Sequence, residues 1–403
     1  MANNNMGFYN IEDLRQKAKK RLPHGVFKFV DGGAEDEIAV ENNREAYTSL
    51  KIKNRVLVDV SKRSTESEIF GKKISMPYGI SPTGTVGLMN YGGEVGVAKA
   101  ATKMGVPCSV ATNAQTSMEE IWDAAGEGNL WFQLYMWSDH DMSMEFVKKV
   151  QNVGFETLIV TVDGPVGPNR EYNHKNGYGM PLKFTPKLIS QLLMKPGWLL
   201  RVLGQTYLKR GAPRFVNLPP ELTSKITAKV LKHTLTKSDM QCWDDLRRIR
   251  DIWKGNLLIK GLQSAEDAVI AADQGLDGVI LSNHGGRYVD CAPAPLQVLP
   301  EVRAAVGDRI KVIIDSGARR GSDLVKAIAL GADMVMSGRP TLWGAAAAGT
   351  DGSYRALEIF HEEMDRIMAQ LGLNSVDEIG PQIFWNPPDW VPQMEEALKA
   401  AAE

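Results

Sequence analysis

The segment 282–287 reads SNHGGR and places a histidine in a glycine-flanked turn, with an arginine three residues further on. An imidazole takes up a proton near neutral pH, and a guanidinium grips a carboxylate through two parallel hydrogen bonds. His284 and Arg287 therefore predict a base beside a carboxylate clamp, which suits removal of hydrogen next to a carboxylate. Asp163 could orient His284 and stabilise its protonated form. The other five histidines lack such surroundings, and we interpret them as structural or solvated.

Two glycine-rich turns, SGARRG at 316–321 and SGRP at 337–340, indicate a phosphate site. Each is expected to open a helix, where backbone N–H groups and the helix N-terminus favour an anion. The alternative is that Arg319 and Arg339 only pair with carboxylates of the fold. The adjacent glycines, Gly317 and Gly338, permit close approach of the backbone and favour the phosphate site.

Lys260 ends the apolar run LLIK and must be neutralised there or face an anion. It could form a Schiff base, or it could lie beside an electron-rich cofactor ring. A metal site is not expected, because the sequence has no HxxxH and no clustered Cys, His and carboxylate set. The three cysteines are far apart without a CxxC spacing, which favours a reducing compartment.

Short apolar runs that alternate with amphipathic stretches must position these groups. Continuous rather than alternating apolar character is typical of parallel strands buried on both faces. One of the amphipathic stretches, SAEDAVIAADQG, is predicted to start at the N-cap Ser264 and stop at Gly275. The runs are MPYGISPTG (76–84), VPCSVAT (106–112), LWFQLYM (130–136), TLIVTVD (157–163), LLIKG (257–261), GVILSNHGG (278–286), KVIIDSG (311–317) and MVMSGRP (334–340).

Eight such strands, each followed by a helix, predict a single (β/α)8 TIM barrel over residues 1–403. A doubly wound open sheet is the rival fold, and the lack of a GxGxxG after the first strand counts against it. Residues 1–75 are predicted to form a helical flank, and residues 164–242 an insertion on the active face.

In a TIM barrel the C-terminal ends of the strands meet at one mouth, so polar residues there are expected to converge on one site. Loops after strands seven and eight of such barrels commonly bind phosphate, which agrees with the two glycine-rich turns. The strand-end residues are Pro82, Thr83, Gly84, Gln133, Tyr135, Thr161, Asp163, Lys260, Ser282, His284, Asp315, Gly317, Arg319, Gly338 and Arg339.

Several of these motifs resemble those of the FMN-dependent 2-hydroxy acid oxidase and dehydrogenase family, which includes glycolate oxidase, lactate oxidase and mandelate dehydrogenase. The similarity lies in KGLQSAEDA, SNHGGRYVD, DSGARRGSDLVKAIALGA and SGRP, and also in ISPTG, FQLYM, TVDGP and RLPHGVFKFVDGGAEDE. It runs from about residue 8 to about residue 375. The resemblance implies an FMN cofactor and oxidation of an L-2-hydroxy acid to the 2-oxo acid, with electrons passed on to oxygen or a quinone.

The resemblance also implies a role for each matching residue. His284 would be the base with Asp163 behind it, and Tyr135 would contact the substrate hydroxyl. Arg170 and Arg287 would fix the substrate carboxylate. Lys260 would lie beside the flavin N1–C2 carbonyl. The other flavin contacts would come from Pro82, Thr83, Gly84, Gln133, Thr161 and Ser282, and those to ribityl and phosphate from Asp315, Gly317, Arg319, Gly338 and Arg339.

Phe29 departs from the family pattern, because a tyrosine that binds the substrate carboxylate usually stands there. Loss of one hydrogen bond to a charged group weakens binding by about 1.5–3 kcal/mol. Either Arg170 and Arg287 suffice, or the substrate is bulky, peptide-derived or an amine. A Schiff-base lyase using Lys260 and a silent binding barrel are further alternatives.

The charge distribution bears on partners. Residues 183–232 hold ten Lys or Arg and one acidic residue, although the net charge of the chain is −1. This stretch could lie on an anionic membrane surface, as in the membrane-associated members with a quinone acceptor, or could be a soluble lid with a basic outer face. Pro196-Gly197 interrupts any long helix there.

We expect a cytoplasmic enzyme, with association at the inner face of the membrane left open. No nucleic acid partner is expected, and the family implies a homotetramer.

Overall fold

The computed structural model describes residues 6–179, 182–223, 225–228 and 239–391. Eight parallel strands form a closed barrel, in which the last strand pairs with the first. An antiparallel hairpin of β1 (Ser67–Ile69) and β2 (Lys72–Ile74) precedes it. The barrel strands are β3 (Tyr78–Ile80), β4 (Cys108–Ala111), β5 (Leu130–Leu134), β6 (Thr157–Thr161), β7 (Asn256–Leu262), β8 (Gly278–Leu281), β9 (Lys311–Asp315) and β10 (Met334–Ser337). The predicted TIM barrel is confirmed, and the open-sheet rival is wrong.

Helices surround the barrel and fill the segments before and within it. The helices outside the insertion are α1 (Ile11–Arg21), α2 (His24–Asp31), α3 (Ile38–Ser49), α4 (Gly93–Met104), α5 (Met118–Ala125), α6 (His140–Val153), α11 (Trp243–Ile252), α12 (Ala265–Asp273), α13 (Pro295–Val306), α14 (Gly321–Ala329) and α15 (Arg339–Leu371), with short 3-10 turns at Val86–Leu88, Val376–Glu378 and Pro381–Ile383. α15 is broken by non-helical backbone at Ala348 and Gly349. The caps predicted for α12 are confirmed, since Ser264 Oγ accepts from Asp267 N at 3.2 Å and Gly275 is left-handed at φ 72°.

The hairpin closes the end of the barrel opposite to the active mouth. Ile69 and Ile74 pack in one buried cluster with inward-facing strand residues such as Trp131 and Ile280. Phe70 lies 3.3 Å from where a Cβ would stand on Gly278, the first residue of β8. The segment before the barrel therefore contributes a β-hairpin as well as helices, and the hairpin seals the core.

The insertion after β6 contains α7 (Glu171–Asn176), α8 (Pro186–Leu193), α9 (Pro196–Trp198), a π-helical turn (Leu199–Gly204) and α10 (Gln205–Arg210). It is anchored on segments next to the barrel: Trp198 Nε1 donates to Leu88 O in the 3-10 turn after β3 at 2.8 Å, and Gln191 Oε1 accepts from Gly25 N of α2 at 2.8 Å. Residues 224 and 229–232 of the basic stretch, and His233, lie outside the described residues. None of the helices described here is long and apolar enough to cross a membrane.

The C-terminus of α2 lies at the mouth of the barrel. α2 buries Val26, Phe27 and Val30 against the core, and the chain after it bonds to the β8 turn through Ala34 N and Gly286 O at 2.8 Å. The unpaired carbonyls that end a helix need donors. This end of α2 therefore presents acceptors to the site.

Candidate active site

A cavity of about 950 Å³ opens at the C-terminal ends of the strands. Most of the residues that the sequence singles out line it. These are Phe29, Pro82, Thr83, Gly84, Gln133, Tyr135, Arg170, Lys260, His284, Arg287, Asp315, Gly317, Arg319, Gly338 and Arg339. Asp163, Thr161 and Ser282 stand behind this lining, where Asp163 bonds to His284 and Ser282 bonds to Lys260.

The turn after β8 holds His284 in an uncommon backbone conformation. His284, Gly285 and Gly286 are all left-handed, with φ of 56°, 69° and 72°. A non-glycine residue adopts this region at a cost that the surrounding contacts must offset. Ser282 Oγ accepts from His284 N at 2.9 Å, and a Cβ on Gly285 would lie 2.6 Å from Arg339 Nη1. Glycine is therefore favoured at position 285, where the left-handed turn meets Arg339.

His284 Nδ1 lies 2.9 Å from Asp163 Oδ1 and 3.1 Å from Oδ2. A carboxylate partner assigns the proton of the neutral ring to Nδ1 and leaves the Nε2 lone pair to accept another. Burial lowers the pKa of His284, and Asp163 opposes that shift. Burial alone would raise the pKa of Asp163, but the charge of His284 lowers it below its usual value. The pair is thus a neutral base with an ionised orienting group.

Lys260 belongs to a closed polar network inside the barrel. Its Nζ lies 3.0 Å from Asp315 Oδ2 and donates to Ser282 Oγ at 2.9 Å. Asp315 also accepts from Ser282 at 2.9 Å and from Ser81 at 2.6 Å. Burial disfavours both charges, yet Asp315 raises the pKa of Lys260, and Lys260 lowers that of Asp315. The ammonium therefore stays protonated, which disfavours its use as a Schiff-base nucleophile.

Arg170 and Arg287 face the cavity without an ion-pair partner in the described part of the chain. Arg287 Nη1 donates to Phe29 O at 2.7 Å and to Gly32 O at 3.1 Å. Arg170 Nε makes a long bond of 3.4 Å to Arg287 O. Burial, followed by the charge of Arg287, lowers the pKa of Arg170 to about 10. Two uncompensated cations side by side are a site for a carboxylate.

Arg319 and Arg339, from the two glycine-rich turns, form a second cationic pair that lines the cavity. The carbonyls of Val30, Gly32 and Gly285 accept from Arg339 at 2.8–3.0 Å. Burial, reinforced by neighbouring arginines, lowers the pKa of Arg319 to about 10 and that of Arg339 to about 9. Neither forms an ion pair within 4.0 Å among the residues described, so the alternative that they only pair with carboxylates of the fold is wrong. Arg339 also ties α2 to the β8 turn.

Unpaired buried atoms test whether these residues fit FMN. Gln133 Nε2 and Thr161 Oγ1, at the ends of adjacent strands, are buried without a hydrogen-bond partner. Such atoms are costly unless a ligand or water satisfies them. A flavin has polar atoms along one edge of its ring and an anionic phosphate at the other end. The unsatisfied polar atoms near Lys260 match the ring edge, and the cations at the glycine turns, which lack an anionic partner among the described residues, match the phosphate end.

Sequence reasoning assigned no role to several groups at the site. Tyr288 lines the cavity directly after Arg287, and its ring contacts the His284 ring. Ser81 holds Asp315, and Trp137 and Phe215 add apolar lining. The only sequence signal for Tyr288 is its place in the SNHGGRY turn. Phe215 comes from the insertion, whose path over the mouth no local pattern reveals.

Comparisons with known proteins agree with this geometry. A family model described as FMN-dependent dehydrogenase matches residues 18–386. The chain is 39% identical over 378 residues to (S)-mandelate dehydrogenase of Pseudomonas putida, covering 94% of each protein, and 37% identical to a putative L-lactate dehydrogenase of Mycobacterium tuberculosis, covering 92% and 88%. A crystal structure described as the monotopic membrane protein (S)-mandelate dehydrogenase matches with a TM-score of 0.87 and 37% identity, over 94% of this chain and 100% of that one. The resemblance drawn from the motifs is confirmed, and the chain belongs to the FMN-dependent dehydrogenase family of 2-hydroxy acid dehydrogenases and oxidases.

Proposed function

We propose that this enzyme oxidises an L-2-hydroxy acid with a bulky apolar side chain to the 2-oxo acid, with His284 as the base. The observation that carries the proposal is the His284–Asp163 pair, which shares one cavity with two arginines that lack an anionic partner in the described chain. Bound FMN supplies the acceptor for the two electrons that leave the substrate. The names of the relatives refer to 2-hydroxy acids, so the peptide-derived or amine alternative is not favoured.

Each residue has a separate task in this proposal. Arg170 and Arg287 bind the substrate carboxylate and fix the carbon that is oxidised. His284 Nε2 takes one proton from the substrate, and Asp163 stabilises the imidazolium that forms. Burial raises the pKa of Tyr135 well above its usual value, so its hydroxyl stays protonated and able to donate to the substrate.

Lys260, Gln133, Thr161 and Ser282 would hold the flavin ring, with the 82–84 backbone facing it. A fixed cation beside the ring stabilises the negative charge that the ring gains on reduction. The turns around 317–319 and 338–339 would hold the ribityl phosphate. The resemblance implied that Asp315 contacts the ribityl and phosphate. Because its carboxylate is shared with Lys260, Ser81 and Ser282, we propose instead that it acts through Lys260.

The lining of the cavity argues for an apolar substituent on the substrate. Phe29 offers a ring and no hydroxyl, and Trp137, Val166 and Phe215 add further apolar surface. Val166 is 63% exposed, which places an apolar side chain in solvent unless a ligand covers it. We therefore expect mandelate and phenyllactate to be better substrates than lactate or glycolate.

Anaerobic bleaching of the flavin tests this function. Purified holoenzyme is mixed with the two enantiomers of mandelate, phenyllactate, lactate and glycolate, and flavin absorbance is followed. We expect bleaching by the (S) acids, fastest with the aromatic ones, and about 10³-fold or greater loss for His284→Gln at unchanged flavin content. Flavin that no acid of the panel bleaches would contradict the function.

We also propose that the insertion rests on an anionic membrane surface and that a quinone accepts the electrons there. Exposed apolar side chains, Leu200 at 71% and Leu208 at 88%, lie next to the exposed cations Arg201 and Lys209. Peripheral membrane proteins typically insert apolar side chains into the lipid interface, while neighbouring cations bind the lipid phosphates. The enzyme would then act at the inner face of the membrane, and the homotetramer implied by the family stays a prediction for light scattering.

Sedimentation with vesicles tests the membrane proposal without removing a segment that is packed on the barrel. Leu200→Glu with Leu208→Glu should abolish pelleting with anionic vesicles at low salt, while activity with a soluble quinone is kept. Leu57→Glu is the control, because Leu57 is fully exposed outside the insertion. Equal pelleting of all three proteins, or none by the wild type, would remove the proposal.

A further inference from the structure

The aromatic ring of Tyr288 contacts both His284 and Arg170 of the candidate site. The Tyr288 ring stands edge-on to the His284 imidazole, with centroids 4.7 Å apart and planes at 71°. The guanidinium carbon of Arg170 lies 5.8 Å from the centroid of the same ring. The far end of the ring reaches Gly164, where an added Cβ would be 2.5 Å from Tyr288 Cζ and 2.6 Å from its hydroxyl oxygen. Tyr288 therefore spans from the base to the residue after Asp163.

Arg170 lies between two aromatic rings. Its guanidinium carbon is 6.0 Å from the Phe29 centroid and 5.8 Å from the Tyr288 centroid, both within the range of a cation–π contact. Its hydrogen bond to Arg287 O is long, at 3.4 Å. A guanidinium with so weak a main-chain bond depends on these rings for its direction.

We propose that Tyr288 is a positioning residue for the reaction: its ring directs Arg170 toward the substrate carboxylate and keeps water from the His284–Asp163 pair. The inference rests on the proposed function for the roles of His284 and Arg170. The contact to the imidazole and the contact to the guanidinium are both made by the ring.

The surroundings of His284 give this proposal a signature in the pH profile. The charged and titratable groups that face the imidazole are Asp163 from the end of β6, Lys260 from β7, Arg170 from the insertion and Tyr288 from its own turn. Burial is the largest cause of the lowered pKa of His284. Removing the ring would admit water and raise that pKa toward its usual value. Burial also raises the pKa of Tyr288, so the phenol stays neutral over the assay range.

The first test compares Tyr288→Leu, which removes the ring, with Tyr288→Phe, which keeps it, and with the exposed neighbour change Val289→Ala as control. Binding of phenylacetate, a carboxylate without a reacting hydroxyl, is measured on holoenzyme through the flavin spectrum. We expect about 5- to 30-fold weaker binding for the leucine variant, the loss of one desolvated cation–π contact, and a change within about twofold for the other two. The acid limb of kcat/KM should move to higher pH only in the leucine variant. Unchanged binding and acid limb in that variant, or equal losses in the phenylalanine variant, would overturn the proposal.

A second test uses Gly164 to displace the same ring from the opposite side. Gly164→Ala places a Cβ into the Tyr288 ring, so it should weaken phenylacetate binding as much as Tyr288→Leu does. In the Tyr288→Leu background it should add less than about twofold, because coupled residues give non-additive effects. Equal losses in both backgrounds would show that Gly164 acts independently of the ring and would overturn the inference. Phenylacetate binding needs no turnover, so a failure of the proposed function, seen as wild-type flavin that no 2-hydroxy acid bleaches, is distinguishable from a failure here.

Discussion

Asp163→Asn separates the orienting role of the carboxylate from its charge. The two oxygens of Asp163 lie 2.9 and 3.1 Å from His284 Nδ1, and the side chains of Asp163 and His284 are only 10% and 21% exposed. Asparagine keeps the shape and one oxygen that can accept from Nδ1, but removes the negative charge that stabilises the imidazolium. The variant should therefore fold and bind flavin, but its His284 should be a weaker base.

The strength of the Asp163–His284 hydrogen bond sets the size of the expected change in the pKa of His284 and in kcat. A hydrogen bond between charged groups is worth about 1.5–3 kcal/mol, and one pKa unit corresponds to about 1.36 kcal/mol. The pKa of His284 should then fall by about one to two units. His284 must be neutral to act, and its pKa is already lowered by burial, so the acid limb of kcat/KM moves to lower pH. The same loss at the step that charges the ring lowers kcat on the plateau by about 10- to 150-fold.

The assay is a profile of kcat and kcat/KM from pH 4 to 9 with a bleaching 2-hydroxy acid, at measured flavin content. Asp273→Asn serves as the control, because Asp273 pairs with Arg309 on the surface. The direction of the shift is opposite to that expected for Tyr288→Leu, so the two variants check each other. A plateau kcat equal to that of the wild type, with an unmoved acid limb, would refute the assigned role of Asp163.

Three further outcomes are expected. Phe29→Tyr should raise kcat/KM for lactate or glycolate by about 10-fold or more, since one hydrogen bond to a carboxylate is restored; no change for any small acid would count against the placement of Phe29. Lys260→Met leaves Asp315 buried without its counter-charge and should lower the free energy of unfolding by about 3–5 kcal/mol, measured by urea denaturation; a loss below about 1 kcal/mol would contradict the network. FMN at 100 times its Kd should stabilise apoprotein by about 2.7 kcal/mol, and inorganic phosphate should restore part of this because the cations at the two glycine turns lack an anionic partner. Riboflavin that stabilises as well as FMN at equal concentration, with no effect of phosphate, would exclude that phosphate site.

Local patterns in the sequence were enough for the elements and for the chemical types at the site. The eight apolar runs coincide with the barrel strands, and Ser264 and Gly275 bound α12 as predicted. Strand burial and helix capping depend on residues a few positions apart, so a single sequence reveals them. The glycines around His284 were also readable, because a left-handed turn limits which residues can occupy it.

Closure of the barrel decided what the sequence could not. Arg287 and Arg339 donate to carbonyls at the end of α2, which lie 255 to 309 positions earlier in the chain. The hairpin at 67–74 fills the end of the barrel opposite to the cavity. The Tyr288 ring, after β8, contacts Gly164, after β6. None of these contacts has a local signal. The direction of a long side chain, and the partner that it reaches, depend on which segments the closed barrel brings together. The sequence therefore determined the fold class, the left-handed histidine turn and the cationic turns, whereas the tertiary structure decided which charges are compensated and which remain for a ligand.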